Sequence, residues 1–158
     1  MGLGQDILAA IGKIYILWME LGFSGVCLRL KVDLPLICCV IASGVDRLPI
    51  WVVGKTCMSQ ALCNISVKAV GIRWKWNKKA WMDQMIMKEW LLFFHSHIGN
   101  RSVLLAMDNF PAHLAGFELA PPPSHIRICW LPKNSTSQYL PLEQGIIKNF
   151  KVHYRTVP

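Results

Sequence analysis

An apolar run that ends in an acid constrains this chain most strongly. The run Ser102–His113 reads SVLLAMDNFPAH, in which branched apolar residues lead to Asp108 and Asn109 and stop at Pro111. This pattern predicts a buried strand that delivers a carboxylate at its C-terminal tip. A second acid, Glu143, lies further along at the predicted start of a helix. Two acids on separate elements, in a chain with few acids, suggest a site where carboxylates bind metal ions that act on a phosphate group.

The composition is that of one globular domain with a basic surface. Of the 158 residues, 53% are apolar and 16% are charged, which excludes a disordered chain. The net charge of +8 favours a polyanionic partner, and nucleic acid before a membrane. A basic soluble domain without such a partner is the alternative. We expect no membrane helix, because Glu20 interrupts the richest apolar run.

The six cysteines do not form a recognisable metal site. None of them is arranged as C-x-x-C, and neighbouring Cys38 and Cys39 should point to opposite faces of a strand. We therefore predict reduced and mostly buried thiols.

The order of predicted elements is a hairpin, a helix and two further strands. Residues 34–42 and 48–53 predict an antiparallel hairpin, with Asp33 and Asp46 facing solvent at its ends. Apolar residues at three- and four-residue steps predict an amphipathic helix from Lys78 to about Ile98, with Asn77 as its N-cap and its end near Gly99. Residues 126–131 alternate as a strand does, and 14–23 fit either a strand or a buried helix.

Residues 71–81 are the most basic and aromatic segment. If the segment is extended, Arg73 and Lys75 share one face while Trp74 and Trp76 share the other. One interpretation is a patch that contacts nucleic-acid phosphates, to which Lys78 and Lys79 would add. The other is an edge strand whose cations maintain solubility and whose tryptophans belong to the core.

Several ordered blocks of the sequence resemble one family. They are Leu48–Lys55, Asn77–Met82, the pattern LLxMDNxxxH at 104–113, LPxNSTS at 131–137, and PL-acid-QGII followed by FKxxYR at 141–155. Together these blocks, which cover about residues 31 to 156, are similar to the DDE domain of pogo/Tigger transposases and their domesticated relatives, which include centromere protein B and jerky.

The resemblance implies a fold and a chemistry. The fold would be α/β and ribonuclease-H-like, with a mixed sheet and flanking helices. The reaction would be hydrolysis of a DNA phosphodiester followed by strand transfer, with Mg²⁺ or Mn²⁺ as the cofactor. Asp108 would bridge two cations and Glu143 would hold one of them. Asn109 and His113 could orient the phosphate or the ligand shell, although a surface histidine is an equal alternative for His113.

The chain departs from the family at the first catalytic position. The family places an Asp on its first strand in a context like Met-Asp-Glu-Thr-Gly, and the nearest counterpart here is Met19–Phe23 with Glu20, a lesser candidate ligand. We therefore expect a fold that is incomplete at the N-terminus, with an uncertain segment at 1–30 and the DDE domain at 31–156. Glu143 also replaces the usual Asp, which keeps the charge.

The sequence thus favours a transposase-derived protein that binds DNA in the nucleus and has lost catalysis. Arg73, Lys75, Lys78, Lys79, Asn109, His113, Lys148 and Lys151 are the candidate nucleic-acid contacts. Two alternatives stay open: an active nuclease, and a non-catalytic protein-interaction module that self-associates or captures a partner.

Overall fold

The chain forms a mixed α/β structure. A computed structural model describes the backbone of residues 13–20, 26–27, 30–31, 36–41, 46, 48–57 and 71–132, and the side chains of 37–39, 46, 48–57 and 71–132. The elements in chain order are β1 (Lys13–Glu20), β2 (Val26–Cys27), β3 (Leu30–Lys31), β4 (Leu36–Ile41), β5 (Ile50–Gly54), β6 (Ile72–Trp76), α1 (Gln84–Ile98), β7 (Val103–Asp108), α2 (Pro111–Leu119) and β8 (Ile126–Leu131).

The described residues divide into two compact units. We call the first the helical unit; it contains the described parts of 1–17, 40–47 and 83–133. We call the second the hairpin unit; it contains the described parts of 18–39, 48–82 and 134–158.

Three strands form the sheet of the hairpin unit. β4 pairs antiparallel with β5 through Leu36↔Val52 and Ile37↔Trp51, which confirms the predicted hairpin. β5 then pairs in parallel with β6 from Ile50↔Ile72 to Gly54↔Trp76. A continuous apolar stretch on β5 fits burial on both faces, and Trp51, Val52 and Val53 are all buried. The short strands β2 and β3 form a separate antiparallel pair.

Gly54 is required by the close approach of a tryptophan. A Cβ atom at this position would lie 2.1 Å from Cζ2 of Trp74. The Trp74 ring is held there by its Nε1, which donates to the backbone oxygen of Thr56 at 3.0 Å. The indole therefore packs on bare backbone at the end of β5.

A parallel sheet in the order β1-β7-β8 forms the centre of the helical unit. Lys13 to Ile16 of β1 pair with Val103 to Ala106 of β7, so the segment that the periodicity left open is a strand. On its other side β7 pairs along its whole length with β8, from Val103↔Ile126 to Asp108↔Leu131. Both predicted strands, at 103–108 and 126–131, are confirmed.

Helix α1 is shorter than the sequence predicts. Its N-cap is Asp83, whose carboxylate accepts from the backbone N–H groups of Met85 and Ile86 at 2.9 Å. The predicted start at Lys78 with an Asn77 cap is therefore wrong. The predicted end is confirmed, because Gly99 has φ 59° and its N–H donates to the His95 oxygen.

The apolar face of α1 is core, as predicted. Its buried residues are Ile86, Met87, Trp90, Leu91, Phe94 and Ile98. Helix α2 connects β7 to β8 and packs against α1 at Gly116, where an added Cβ would lie 2.6 Å from Cβ of Met87. Neither of these two described helices is long and apolar enough to cross a membrane.

Asp46 does not face solvent as predicted. Its side chain is only 20% exposed and accepts from Nη1 of Arg101 at 2.9 Å. The Nε2 atom of His97 lies 3.0 Å from its other carboxylate oxygen. Arg101 also donates to the backbone oxygens of Ile98 and His97, so the acid is tied to the C-terminus of α1.

The prediction of buried thiols is partly wrong. The four described cysteine side chains are reduced thiols, but only Cys39 is buried, while Cys57 and Cys129 are exposed. Cys38 is partly buried, and burial raises the pKa of its thiol to about 11. Cys63 and the side chain of Cys27 lie outside the described residues.

Candidate functional site

Asp108 lies at the C-terminal tip of β7, where the sequence predicts it. Buried residues alternate along the strand up to Met107, and Asp108 is the last strand residue. Its side chain is 34% exposed, so one part of the carboxylate is packed while another is open to solvent. Pro111 then begins α2, which turns the chain away from the sheet.

His113 holds this carboxylate. The first turn of α2 brings its Nδ1 atom to 2.5 Å from Oδ1 of Asp108. His113 is 1% exposed, and its ring lies edge-on to the Phe110 ring, with centroids 5.5 Å apart. The alternative of a surface histidine is therefore wrong. The ring is buried because the turn that carries it is apolar and packs the ring against Phe110.

The contact stabilises the ionised form of Asp108. Burial alone raises the pKa of this carboxyl, but the hydrogen bond and the charge of His113, with the Phe110 backbone N–H, outweigh it. The net effect is a pKa below the ordinary value. Asp108 is therefore a carboxylate near neutral pH, which is the form that a cation binds.

The other end of the imidazole has no hydrogen bond within the described part of the chain. Nε2 of His113 is buried and unpartnered. Because a carboxylate can only accept, Nδ1 carries the proton in this contact. The ring is thus held by one hydrogen bond and by packing, and its role is to orient Asp108.

Of the remaining candidates for this site, only Asn109 has a described side chain. Asn109 follows Asp108 and is partly buried. Glu20 closes β1, but its side chain lies outside the described residues, as do Glu143, Lys148 and Lys151. Within the described ranges there is no group of three or more His, Cys, Asp or Glu that could hold a metal. The meeting of Asp108 with Glu143 at a common cation stays a prediction.

The basic candidates lie on β6 and just after it. Arg73 and Lys75 share one face of the strand, and both cations lie over the ring of Trp51, at 5.7 Å and 5.2 Å from its centroid. The opposite face is not entirely packed, because Trp74 covers Gly54 whereas Trp76 is 51% exposed. Lys78 and Lys79 follow in an exposed turn.

Sequence reasoning missed Lys55 as a member of this basic region. Lys55 follows Gly54, and Gly54 pairs with Trp76 in parallel register. Strands that run in parallel bring their following loops to the same end of the sheet. The sequence shows that a lysine follows Gly54 at the end of β5 and that another follows Asn77 after β6. It does not show that the two strands pair in parallel.

Comparison with known proteins places the chain in a family. Residues 31–157 match the family described as DDE superfamily endonuclease. The chain is 33% identical to CENP-B homolog protein 1 of Schizosaccharomyces pombe over 133 residues, which are 80% of this chain and 26% of that protein. It is 32% identical over 133 residues to ARS-binding protein 1 of the same yeast, with the same shares of both chains.

A mammalian relative is similar over a shorter length. Tigger transposable element-derived protein 4 of Mus musculus is 27% identical over 114 residues, which are 71% of this chain and 21% of that protein. The chain thus spans about a quarter of the length of the curated relatives it matches. No solved structure matches significantly. The chain belongs to the DDE superfamily endonuclease family, and its relatives include CENP-B homologues and a Tigger-derived protein.

Proposed function

We propose that this chain is a transposase-derived DDE domain, with a ribonuclease-H-like fold over residues 31–156, that binds DNA in the nucleus. The observation that carries the proposal is the position of Asp108 at the tip of β7, ionised and oriented by buried His113. The match to the DDE endonuclease family supports a role for this carboxylate as a cation ligand.

The residues that would hold a cation are Asp108 and Glu143. An ionised and partly exposed carboxylate fits a divalent cation, and its hard oxygen ligands favour Mg²⁺, with Mn²⁺ as the substitute. When bound, such cations activate a water or hydroxyl and stabilise the leaving oxygen of a phosphodiester. His113 would fix the Asp108 carboxylate in one orientation. Asn109 would lie beside the phosphate.

We propose that this domain cuts DNA poorly or not at all. Strand β1, which precedes residues 31–156 and pairs with β7, ends in Glu20 and lacks the Asp that the family carries on its first strand. The positive charge of two divalent cations would be balanced by two carboxylates and the substrate phosphate, with Glu20 as a weaker third ligand. Cation affinity falls as the number of charged ligands falls.

The charge distribution supports a DNA partner. The chain carries a net charge of +8. Residues 48–57 and 71–82 contain Lys55, Arg73, Lys75, Lys78 and Lys79 and no Asp or Glu. Such a one-sided cluster attracts phosphates and releases their counterions. Lys148 and Lys151 would extend this basic surface.

Two assays on the full chain test the proposal. Binding to duplex DNA should weaken steeply with salt, and supercoiled plasmid should remain intact with Mg²⁺ or Mn²⁺. Asp108→Ala and Glu143→Ala should abolish cation binding, measured by calorimetry, while Glu118→Ala is the matched control, since Glu118 is an exposed acid on α2. Nicking that disappears in both acid variants would show an active nuclease, and no binding to DNA would refute the proposal.

Exposed apolar side chains favour a second candidate function. Met85 and Leu92 on α1, and Leu114 and Leu119 on α2, are all more than a third exposed. Met85 and Leu92 lie seven residues apart and so share one face of α1. A contiguous apolar patch on a protein surface marks a contact with another chain. We propose self-association as the alternative, and Leu92→Asp should then shift the mass in analytical ultracentrifugation towards the monomer.

A further inference from the structure

The ends of β5 and β6 present lysines and exposed tryptophans together. We call this surface the lysine–tryptophan edge; it consists of Lys55, Trp76, Lys78, Lys79 and Trp81. We propose that it binds single-stranded nucleic acid, with the lysines on phosphates and the indole rings stacked on unpaired bases. The inference rests on the proposed function and names the form of nucleic acid that this surface takes.

Backbone pairing brings these residues to one end of the sheet. Gly54 pairs with Trp76 in the parallel register of β5 and β6. The ladder continues one step further, because the Asn77 N–H donates to the Gly54 oxygen at 3.0 Å. Lys55 therefore lies opposite Asn77, and Lys78 follows one residue further along at the same end of the sheet.

A tight turn fixes the lysines and the second tryptophan. Oδ1 of Asn77 accepts from the backbone N–H groups of Lys79 and Trp81, at 3.2 Å and 3.1 Å. Nδ2 of Asn77 donates to the Trp81 oxygen at 2.6 Å. Ala80 inside this turn has φ 47°, a left-handed conformation that is unfavourable for alanine. The turn is held rigidly enough to keep a strained residue, so little order has to be gained on binding.

The two indoles differ from the other described tryptophans. Trp51 and Trp90 are buried, Trp74 is packed on Gly54 and partly buried Trp130 lies edge-on to the Phe117 ring, whereas Trp76 and Trp81 are 51% and 42% exposed. The lysines around them are exposed, and the described segments of this unit that flank the edge, 48–57 and 71–82, contain no acid. The edge therefore combines exposed aromatic surface with positive charge.

That combination selects unpaired nucleotides. Phosphate binding alone needs cations and gains nothing from an exposed indole. A duplex keeps its base faces stacked inside the helix, where an indole cannot reach them without unstacking. A single strand offers phosphates and free base faces at once, and base–indole stacking tolerates any sequence.

The test uses the full chain and unstructured oligothymidine or oligouridine of about 20 nucleotides, long enough for one such site. Trp76→Ala should weaken binding roughly 5- to 150-fold, the loss expected for one stacked base. Trp76→Phe, which keeps a ring, should retain most of the affinity, whereas Trp76→Leu should not. Gln84→Ala is the control, because Gln84 is an exposed residue of α1 outside the lysine–tryptophan edge, and it should bind normally. Thermal melts check that each variant is folded.

The outcomes separate this inference from the proposed function. Weaker binding in the Ala and Leu variants, with the Phe variant near the parent chain, supports stacking on either oligonucleotide. If duplex DNA binds but Trp76→Ala leaves oligonucleotide binding unchanged, the inference is wrong and the proposed function stands. If neither single strands nor duplex bind, both are wrong.

Discussion

The tip of β7 and the lysine–tryptophan edge are both C-terminal ends of parallel strands, yet they are built in opposite ways. At the tip of β7 one acid, Asp108, is held by a histidine that is 1% exposed. At the lysine–tryptophan edge several cations and two indoles are exposed, and a backbone turn around Asn77 holds them. One site is positioned by core packing and the other by local hydrogen bonds.

This difference determines how each site responds to change. Removing a buried partner leaves a cavity and a half-buried charge, so the tip of β7 should be sensitive to single substitutions and insensitive to salt. Exposed cations each contribute little to stability, and their binding to phosphate is screened. The lysine–tryptophan edge should therefore tolerate substitutions in folding while losing nucleic-acid affinity.

The largest expected effect is the loss of His113. His113→Ala removes a buried ring and the donor to Asp108, and should lower the free energy of unfolding by about 2–4 kcal/mol. Urea titration with circular dichroism measures it. His113→Asn, which keeps a donor near the position of Nδ1, should recover part of the loss.

The control for this substitution is His125, whose Nε2 atom contacts the Gly99 oxygen at 2.7 Å without burial of the ring. His125→Ala should lower the free energy of unfolding by only about 0.5–1.5 kcal/mol, the usual contribution of one hydrogen bond. Equal losses in the two variants would mean that the Asp108–His113 pair is no more important to the fold than a surface contact.

The next effect is at Gly54 in the hairpin unit. Gly54→Ala would place a methyl group 2.1 Å from the Trp74 ring, so overpacking should lower the free energy of unfolding by about 1–3 kcal/mol. Trp74→Leu removes the clashing atoms. The double variant should show a coupling of about 0.5–3 kcal/mol, and strictly additive losses would contradict the close approach.

The regular parts of the fold could be predicted because single residues carry the signal. Asp108 and Pro111 mark the end of β7, since an apolar strand cannot continue through them. Gly99 marks the end of α1 because its positive φ suits glycine. The alternation at Ile126–Leu131 gives β8. In each case the decisive interaction is local in sequence.

The predictions from sequence are wrong where a distant or competing hydrogen-bond partner determines the local structure. Trp81 and Met82 continue the helical spacing of α1, but Asn77 bonds the backbone of a turn instead of capping a helix, and Asp83 caps α1. Asp46 lies at the end of the predicted hairpin, where an acid usually faces solvent. It is instead hydrogen-bonded by Arg101, which is distant in sequence. No local pattern reports either outcome.

The candidate site was predictable to the same extent. The DNxxxH spacing puts His113 one turn into α2, and the hydrogen bond to Asp108 follows from that spacing. Burial of the ring does not follow, because it depends on packing beyond the motif. Glu143 lies outside the described residues, so its meeting with Asp108 stays a prediction.

A smaller effect is expected from the lysines of the edge. Lys78→Ala with Lys79→Ala should reduce the slope of log affinity for oligothymidine against log salt by about 0.7 for each phosphate that a lysine neutralises. Fluorescence anisotropy from low to moderate salt measures the slope. Arg127→Ala, on an exposed position of β8, should leave it unchanged. A slope that falls equally in both variants would show that the charge acts diffusely and that the edge is no specific site.

The smallest effect is the pH dependence at the tip of β7. The pKa of Asp108 is lowered from 3.8 in the folded chain, so its contribution to stability is complete above 3.8 and is lost as pH falls through the lower folded pKa. Asp108→Asn has no proton to bind there. The difference in Tm between the parent chain and this variant should therefore shift in favour of the variant as pH falls from about 5 to about 2. A constant difference over that interval would mean that Asp108 titrates alike in the folded and unfolded chains, and that His113 positions the carboxylate without stabilising its charge.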